Sequence, residues 1–310
     1  KDGDDTESMT GVERPISVTI PLPRYFICYK PRGVVCSSRK NEGIDREDSV
    51  LITEWLANIC DAHSDATTKK TIDAATIKSI KTVGRLDEES EGLLLLTNDG
   101  SFSRLLCDPE FGLKKTYRVL ARGSGYSRLV ADGWKTECNN EMEETNRLSN
   151  IVAEMIMNGN KPLPETNATT PHFPFEDCQV LDVGKLPSQH SSDDSYYVLV
   201  DLTLREGKTH AVRRIIKNAG GGLRVGYLSR IAVEGLDAYD VVKPKSINDA
   251  QEEGCLIVGR HASVVPVCKL VLRYGFDTHA SIDDGSALLQ PGHVMELKGC
   301  DVDKIFALRR

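Results

Sequence analysis

A chain of 310 residues is long enough to bury a large core, in one big domain or two smaller ones, and its composition is that of an ordinary globular protein. No apolar run approaches the roughly 20 residues that a membrane-spanning helix needs, and the acidic start Lys1-Asp2-Gly3-Asp4-Asp5 is unlike a secretory or organelle leader. The net charge of −7 is segregated into acidic stretches at 1–13 and 137–194 and three basic segments, so its sign is a poor guide to partners.

The basic segments are Arg24, Lys30, Arg32, Arg39 and Lys40; then Lys114, Lys115, Arg118 and Arg122; then Arg205, Lys208, Arg213, Arg214, Lys217, Arg224 and Arg230. A basic stripe on one face can bind phosphates whatever the rest of the surface carries. Nine scattered cysteines without a Cys-x-x-Cys pair argue for free thiols in a reducing compartment and against a zinc site. The seven histidines lack ligand spacing, and His210 reads as a helix-start or core histidine.

In chain order, residues 1–23 are acidic, then interrupted by Pro15, Pro21 and Pro23, which predicts an extended or disordered lead-in. The chain lacks a Met at position 1 and is read as part of a longer product. Arg24 to Lys30 is rich in aromatic and apolar residues and predicts a strand ending at the turn Lys30-Pro31-Arg32-Gly33. Val34 to Ser37 continues as a second extended piece, and Val50 to Leu56 has the pattern of an amphipathic helix. The polar stretch 61–70 looks like an insertion. The four leucines 93–96, bounded by Gly92 and the turn Asn98-Asp99-Gly100, predict a short buried strand. Phe102, Leu105 and Leu106 suggest a short helix stopped by Asp108-Pro109, and Leu113 to Leu120 alternates as a strand.

From Glu137 to Asp194 the pattern dissolves into acid, Asn, Pro and Thr, with a helix suggested around Ile151 to Met157 and a flexible loop over 160–175. Tyr196 to Leu204 resumes strand character. Thr209 can N-cap a helix running to Asn218 and ended by Gly220-Gly221-Gly222. Short strands follow around 223–227, 229–233, 256–258, 264–272 and 294–297, with polar interruptions inside 240–286. Many strands with few helices, not alternating one for one, favour α+β over a doubly wound fold.

The run Gly84-Arg85-Leu86-Asp87, continuing through Ser90-Glu91-Gly92 to Gly100, places a carboxylate in a loop leading into the core, where it can be held rigidly. This segment resembles the Asp-bearing motif of the pseudouridine synthases, most closely the branch containing the bacterial ribosomal enzymes RsuA, RluB, RluE and RluF. Lys30-Pro31-Arg32-Gly33, Lys115-Thr116-Tyr117 and Leu204 to Arg214 match further motifs of that family, in its order. The resemblance covers positions 25–37, 84–120 and 198–231, with a fainter match near Gly292 to Leu297.

The resemblance implies a pseudouridine synthase fold: a mixed, mainly antiparallel sheet with flanking helices and an active-site cleft between two subdomains. It implies a catalytic domain at 24–303 with polar insertions near 61–70, 137–194 and 240–286, and no S4 domain is seen. Those insertions suggest a eukaryotic or protist member, in the cytoplasm or an organelle. Asp87 is then the essential catalytic residue, Arg213 its ion-pair partner and Tyr117 the residue that stacks on the uracil. Arg85 is implied to insert where the extruded base was. Lys30, Arg32, Lys115, Lys208, Arg214 and Lys217 are read as RNA contacts. The family pattern has Gln where this chain has Ala211, which puts one local hydrogen bond in doubt.

Isomerising uridine breaks the bond from N1 to ribose and joins ribose to C5, a change that needs no metal, nucleotide cofactor or redox partner. The expected partner is RNA, ribosomal or transfer, met by a monomer away from membranes. A rival reading is a non-catalytic RNA-binding or ribosome-assembly factor on the same scaffold, for which a shielded carboxylate would have no use. A second is a hydrolase with Asp as nucleophile, which leaves the basic segments unexplained.

Overall fold

A computed structural model describes residues 21–39, 49–62, 72–108, 114–133, 141–159, 175–186, 194–205, 210–233, 236–237, 257–258, 263–264, 272–273, 288–289, 294–297, 302–303 and 306. Residues 1–20 of the lead-in, 63–70 of the polar stretch and most of the interruption at 240–286 lie outside these, and 61–62 belong to a helix.

The first strand, β1, is Tyr25–Lys30, followed by a turn and the short β2, Val34–Val35. β3, Val50–Leu51, pairs in parallel with β2 and leads directly into α1, Ile52–Ala62. The helix expected from Val50 therefore starts at Ile52, where Glu54 Oε2 accepts the Leu51 amide at 3.0 Å. α2, Ala74–Ser79, is capped by Asp73, whose carboxylate accepts the Thr76 amide. β4, Lys81–Val83, and β5, Glu91–Thr97, flank the Asp87 loop. Asp99 caps α3, Gly100–Cys107, by accepting the Ser101 and Phe102 amides at 2.8 and 3.2 Å.

β6 runs Lys115–Ser124 and is followed by α4, Tyr126–Gly133, which the periodicity did not announce. The acidic stretch holds more structure than its composition suggests: α5 is Glu141–Gly159, and β7, Phe175–Lys185, pairs along β8, Ser195–Leu204. α6 is Ala211–Asn218, and the two strands expected over 223–233 are one, β9, Arg224–Val233. β10, Leu236–Asp237, pairs with β9. Two small pairs follow, β11, Ile257–Val258, with β12, Ser263–Val264, and β13, Leu272–Arg273, with β14, Leu288–Leu289. β15, Val294–Glu296, returns to β1.

The principal sheet has nine strands in the order β15-β1-β5-β9-β6-β8-β7, with β10 on β9 and β4 on β5. Every pairing in it is antiparallel except β5 with β9, which runs parallel for two residue pairs, Glu91 with Ser229 and Gly92 with Arg230. This is the α+β, mixed and mainly antiparallel architecture expected.

Side chains alternate across the sheet and build two cores. One face carries Phe26, Cys28, Leu94, Leu96, Tyr117, Val119, Val198 and Val200, packed with α1, α5 and α6 through Leu56, Val152, Ile156, Val212 and Ile216. The other carries Ile27, Tyr29, Leu93, Leu95, Leu120 and Leu199 with Phe102 and Leu106 of α3. β5 is thus covered on both faces, which is why it reads as an unbroken run of leucines. Each buried leucine contributes roughly 1.5–3 kcal/mol, and the strand in turn fixes the loop that precedes it.

Candidate active site

The loop from Gly84 to Ser90 is tied down at several points. The Leu86 amide donates to Cys36 Sγ at 3.5 Å, the Gly33 amide to the Glu88 carbonyl at 2.8 Å, and Ser49 Oγ to Glu88 Oε1 at 3.0 Å. Within the loop the Ser90 amide donates to the Asp87 carbonyl at 3.0 Å. Leu86 and Ser90 are buried on either side, which leaves the Asp87 side chain 28% exposed at the tip. A carboxylate fixed in this way is shielded from most of the solvent and still reachable.

Beneath the loop, β5 crosses β9 at unusually close range. Gly92 has φ +110°, and a Cβ on it would lie 2.4 Å from the Arg230 carbonyl oxygen. Only glycine fits this approach and this backbone. Arg230 is 3% exposed, and its Nε donates to the Leu93 carbonyl at 2.8 Å, stitching the two strands. On the opposite face the Tyr29 and Tyr227 hydroxyls both donate to Glu91 Oε1, the latter at 2.7 Å, with Ser229 Oγ 3.5 Å from the Tyr29 oxygen. Burial, then the Glu91 charge, pushes the Tyr29 phenol up.

Helix α6 closes the other side. Its cap position is His210, with Thr209 outside the described residues, and His210 adopts a left-handed backbone (φ 55°, ψ 23°) without capping the helix through its side chain. Instead Nδ1 lies 3.2 Å from Asp87 Oδ2. Arg213 reaches the same loop but meets different partners. Its Nη2 donates to the Glu89 carbonyl at 3.3 Å and Ser90 Oγ at 3.4 Å, its Nη1 is 3.8 Å from Glu89 Oε2, and its buried Nε has no hydrogen-bond partner. The expected pairing of Arg213 with Asp87 is therefore replaced by pairing with the turn that follows it, because the first turn of α6 packs over Glu89 and Ser90.

Tyr117 lies on β6, 8% exposed, on the same face as Leu94 and α6. Arg230 is registered with Gly92 on one side and Tyr117 on the other, so Tyr117 sits two strands, about 10 Å, from the base of the Asp87 loop.

The residues read as RNA contacts divide. Lys30 is corrected: it is fully buried, and its ammonium donates to the Pro31 and Val34 carbonyls at 2.9 and 2.7 Å. The tight turn after β1 folds these carbonyls back over the strand end and captures the amine. Burial lowers its pKa to about 8, against the raising influence of Cys36, Cys28, Glu91 and Asp87. Two other cations of the basic segments are also internal: Arg118 makes a bidentate pair with Asp201 at 2.8 Å for each contact, and Arg230 is the stitch described above. Arg85, Arg32, Arg214 and Lys217 are exposed, and Lys115 is half-buried. Arg85 precedes Asp87 by one buried residue, and Arg32 sits in the turn held to Glu88, so both flank the carboxylate. Lys208 lies outside the described residues.

Sequence reasoning passed over His210 as an active group, and also Glu89, Ser90 and Cys36. His210 stood inside the matched motif, but nothing in its spacing distinguishes an imidazole aimed at a distant loop from one that starts a helix. Among the described residues no group of three or more His, Cys, Asp or Glu is arranged to hold a metal ion, and no helix is long and apolar enough to cross a membrane.

The family model described as RNA pseudouridylate synthase matches residues 24–218, which contain β1, the Asp87 loop, Tyr117 and α6. The chain belongs to that family. Over 216 residues it is 27% identical to an Arabidopsis thaliana protein named as a chloroplastic ribosomal large subunit pseudouridine synthase, covering 70% of this chain and 40% of that protein. Over 101 residues it is 34% identical to ribosomal large subunit pseudouridine synthase B of Bacillus subtilis, covering 33% of this chain and 32% of the relative. Ribosomal small subunit pseudouridine synthase A of Vibrio vulnificus is 27% identical over 218 residues, covering 69% of this chain and 66% of its own length. The chain thus spans less than half of the first two relatives and about two thirds of the third.

Proposed function

We propose that this chain isomerises a uridine to pseudouridine in structured RNA, with ribosomal RNA as the substrate class and Asp87 as the catalytic residue. The observation that carries the reading is one part-exposed carboxylate on a pinned loop, faced by the first turn of α6. Membership of the family supports the reaction type, and the names of the relatives support ribosomal RNA.

The chemistry suits the residues present. The target base in folded RNA must first be extruded, at a cost of a few kcal/mol. Arg85, exposed and beside the carboxylate, can place its guanidinium plane in the vacated stack. Exposed Arg32, Arg214 and Lys217, with Lys115 and Lys208, supply affinity through phosphates. Asp87 then acts on the ribose or uracil as N1 separates from C1′. The freed uracil turns, C5 bonds to C1′, the C5 proton leaves and N1 takes up a proton, so atoms and charge balance. The positive charges of Lys30 and Arg213 and the donor on His210 spare the carboxylate the cost of an uncompensated shielded charge. Tyr117 offers a flat face for the turning base. We take 24–303 as the catalytic unit, acting as a monomer in a reducing compartment, cytoplasmic or organellar.

Mapping pseudouridines in total RNA before and after incubation with the protein tests the proposal. New pseudouridine at one or a few ribosomal positions is expected. Tight RNA binding with no new pseudouridine anywhere would instead favour the assembly-factor reading.

A further inference from the structure

We infer that His210 is a positioning residue for Asp87: its Nδ1 tethers one carboxylate oxygen and leaves the other to face the substrate. This inference rests on the functional reading given above and adds a residue to it.

Three observations meet at His210. It is the only non-glycine with positive φ among the described residues, a backbone that L-residues rarely adopt. At a helix cap, where Ser, Thr, Asp or Asn would bond the second or third amide, the His210 side chain makes no cap bond. It turns instead to Asp87, with Nδ1 3.2 Å from the carboxylate oxygen Oδ2. A strained backbone whose side chain is not used by its own helix, but directed at a part-shielded carboxylate of a pinned loop, is better explained by the loop than by the helix.

The geometry divides the two oxygens of Asp87. Oδ2 faces the imidazole, so Nδ1 must be the nitrogen that carries a hydrogen if the contact is to attract. Oδ1 has no protein partner among the described residues and is not enclosed. With Oδ2 held, rotation about the carboxylate axis is restricted and Oδ1 is the oxygen presented to the ribose or uracil. Arg213 cannot take over this task while its guanidinium is spread over Glu89 and Ser90. The His210 side chain itself is 55% exposed, at the lip of the site, so truncating it leaves the core intact.

The test compares His210→Ala, His210→Asn and His210→Gly on a ribosomal RNA substrate, with kcat and KM measured separately by release of tritium from C5-labelled uridine. Asn tolerates the left-handed backbone, and its Nδ2 stands as many bonds from Cα as the histidine Nδ1. The expected result is that Ala lowers kcat by about 10- to 100-fold with KM changed less than about threefold, that Asn restores most of the loss, and that Gly behaves like Ala. Unchanged kcat in His210→Ala overturns the inference. So does recovery by Gly without recovery by Asn, which would place the effect in the backbone, or a loss confined to KM, which would make His210 an RNA contact. If the wild-type chain releases no tritium while Asp87→Asn binds RNA equally well, the enzymatic reading itself has failed.

Discussion

At the residue scale, the same side-chain type serves opposite ends in this site. Arg85 and Arg32 are exposed cations flanking Asp87, whereas Lys30 is an internal tie whose charge is expensive. Its amine pKa is pushed down from 10.5 to about 8, first by burial, with Cys36, Cys28, Glu91 and Asp87 opposing. Because the folded value lies below the unfolded one, the unfolded chain binds more protons between about 8 and 10.5. The penalty is therefore full below that window and is relieved as pH rises through it. Lys30→Met removes the titrating group, so the stability of the wild type relative to this variant should rise across the window. Urea unfolding of both proteins at pH 7.5 and 10, conditions on the order of those limits, checks this. Parallel curves would contradict it.

Residues explain which parts of the site were legible. Asp87, Tyr117 and Arg213 are site candidates through the resemblance of their segments to the family's motifs, which lie in short runs that can be read off the sequence. The partners of Arg213 cannot be, since they depend on how the first turn of α6 lands on a loop more than a hundred positions earlier. Lys30 misled because burial of a lysine depends on carbonyls folding back over it, and a basic residue beside a Pro-Gly turn gives no sign of that.

At the element scale, the crossing of β5 and β9 holds the site in place. Two parallel residue pairs join strands that otherwise belong to antiparallel partners, and Gly92 permits the approach. Gly92→Ala should destabilise the fold by roughly 3 kcal/mol or more, combining a backbone that alanine resists with overlap on Arg230. Gly100→Ala is the matched control: nothing lies within 4 Å of its added methyl, and it opens a helix, so a change between zero and about 1 kcal/mol of stabilisation is expected. Equal midpoints for the two variants in chemical denaturation would refute the role given to the crossing. The strand β5 was readable from its leucines and the turn after it. Its parallel contact was not, because register between distant strands leaves no local mark. The edge strand β7 escaped for a different reason: its segment mixes Glu176, Asp177, Gln179 and Asp182 with its apolar residues, and Leu181 is exposed while Val183 is buried, so neither alternation nor an apolar run announces it.

At the scale of the whole molecule, the net charge of −7 and the proposed polyanionic substrate are reconciled by where charges lie. Several cations of the basic segments are consumed inside, in Arg118 with Asp201, in Lys30 and in Arg230, and Arg205 pairs with Glu176. Exposed cations include Arg85 in the Asp87 loop, Arg32 in the turn held to that loop, and Arg214 and Lys217 on α6. The nine-stranded sheet thus gathers turns and a helix that are far apart in the chain around one acid. The central claim is that this acid does chemistry on a uridine and is not a bystander in a binding surface. The most direct measurement is tritium release from ribosomal RNA labelled at uridine C5, run with the wild type and with Asp87→Asn, alongside RNA binding by each. Release by the wild type, loss of at least about a thousandfold in Asp87→Asn and unchanged binding are expected; equal release by both proteins would contradict the account.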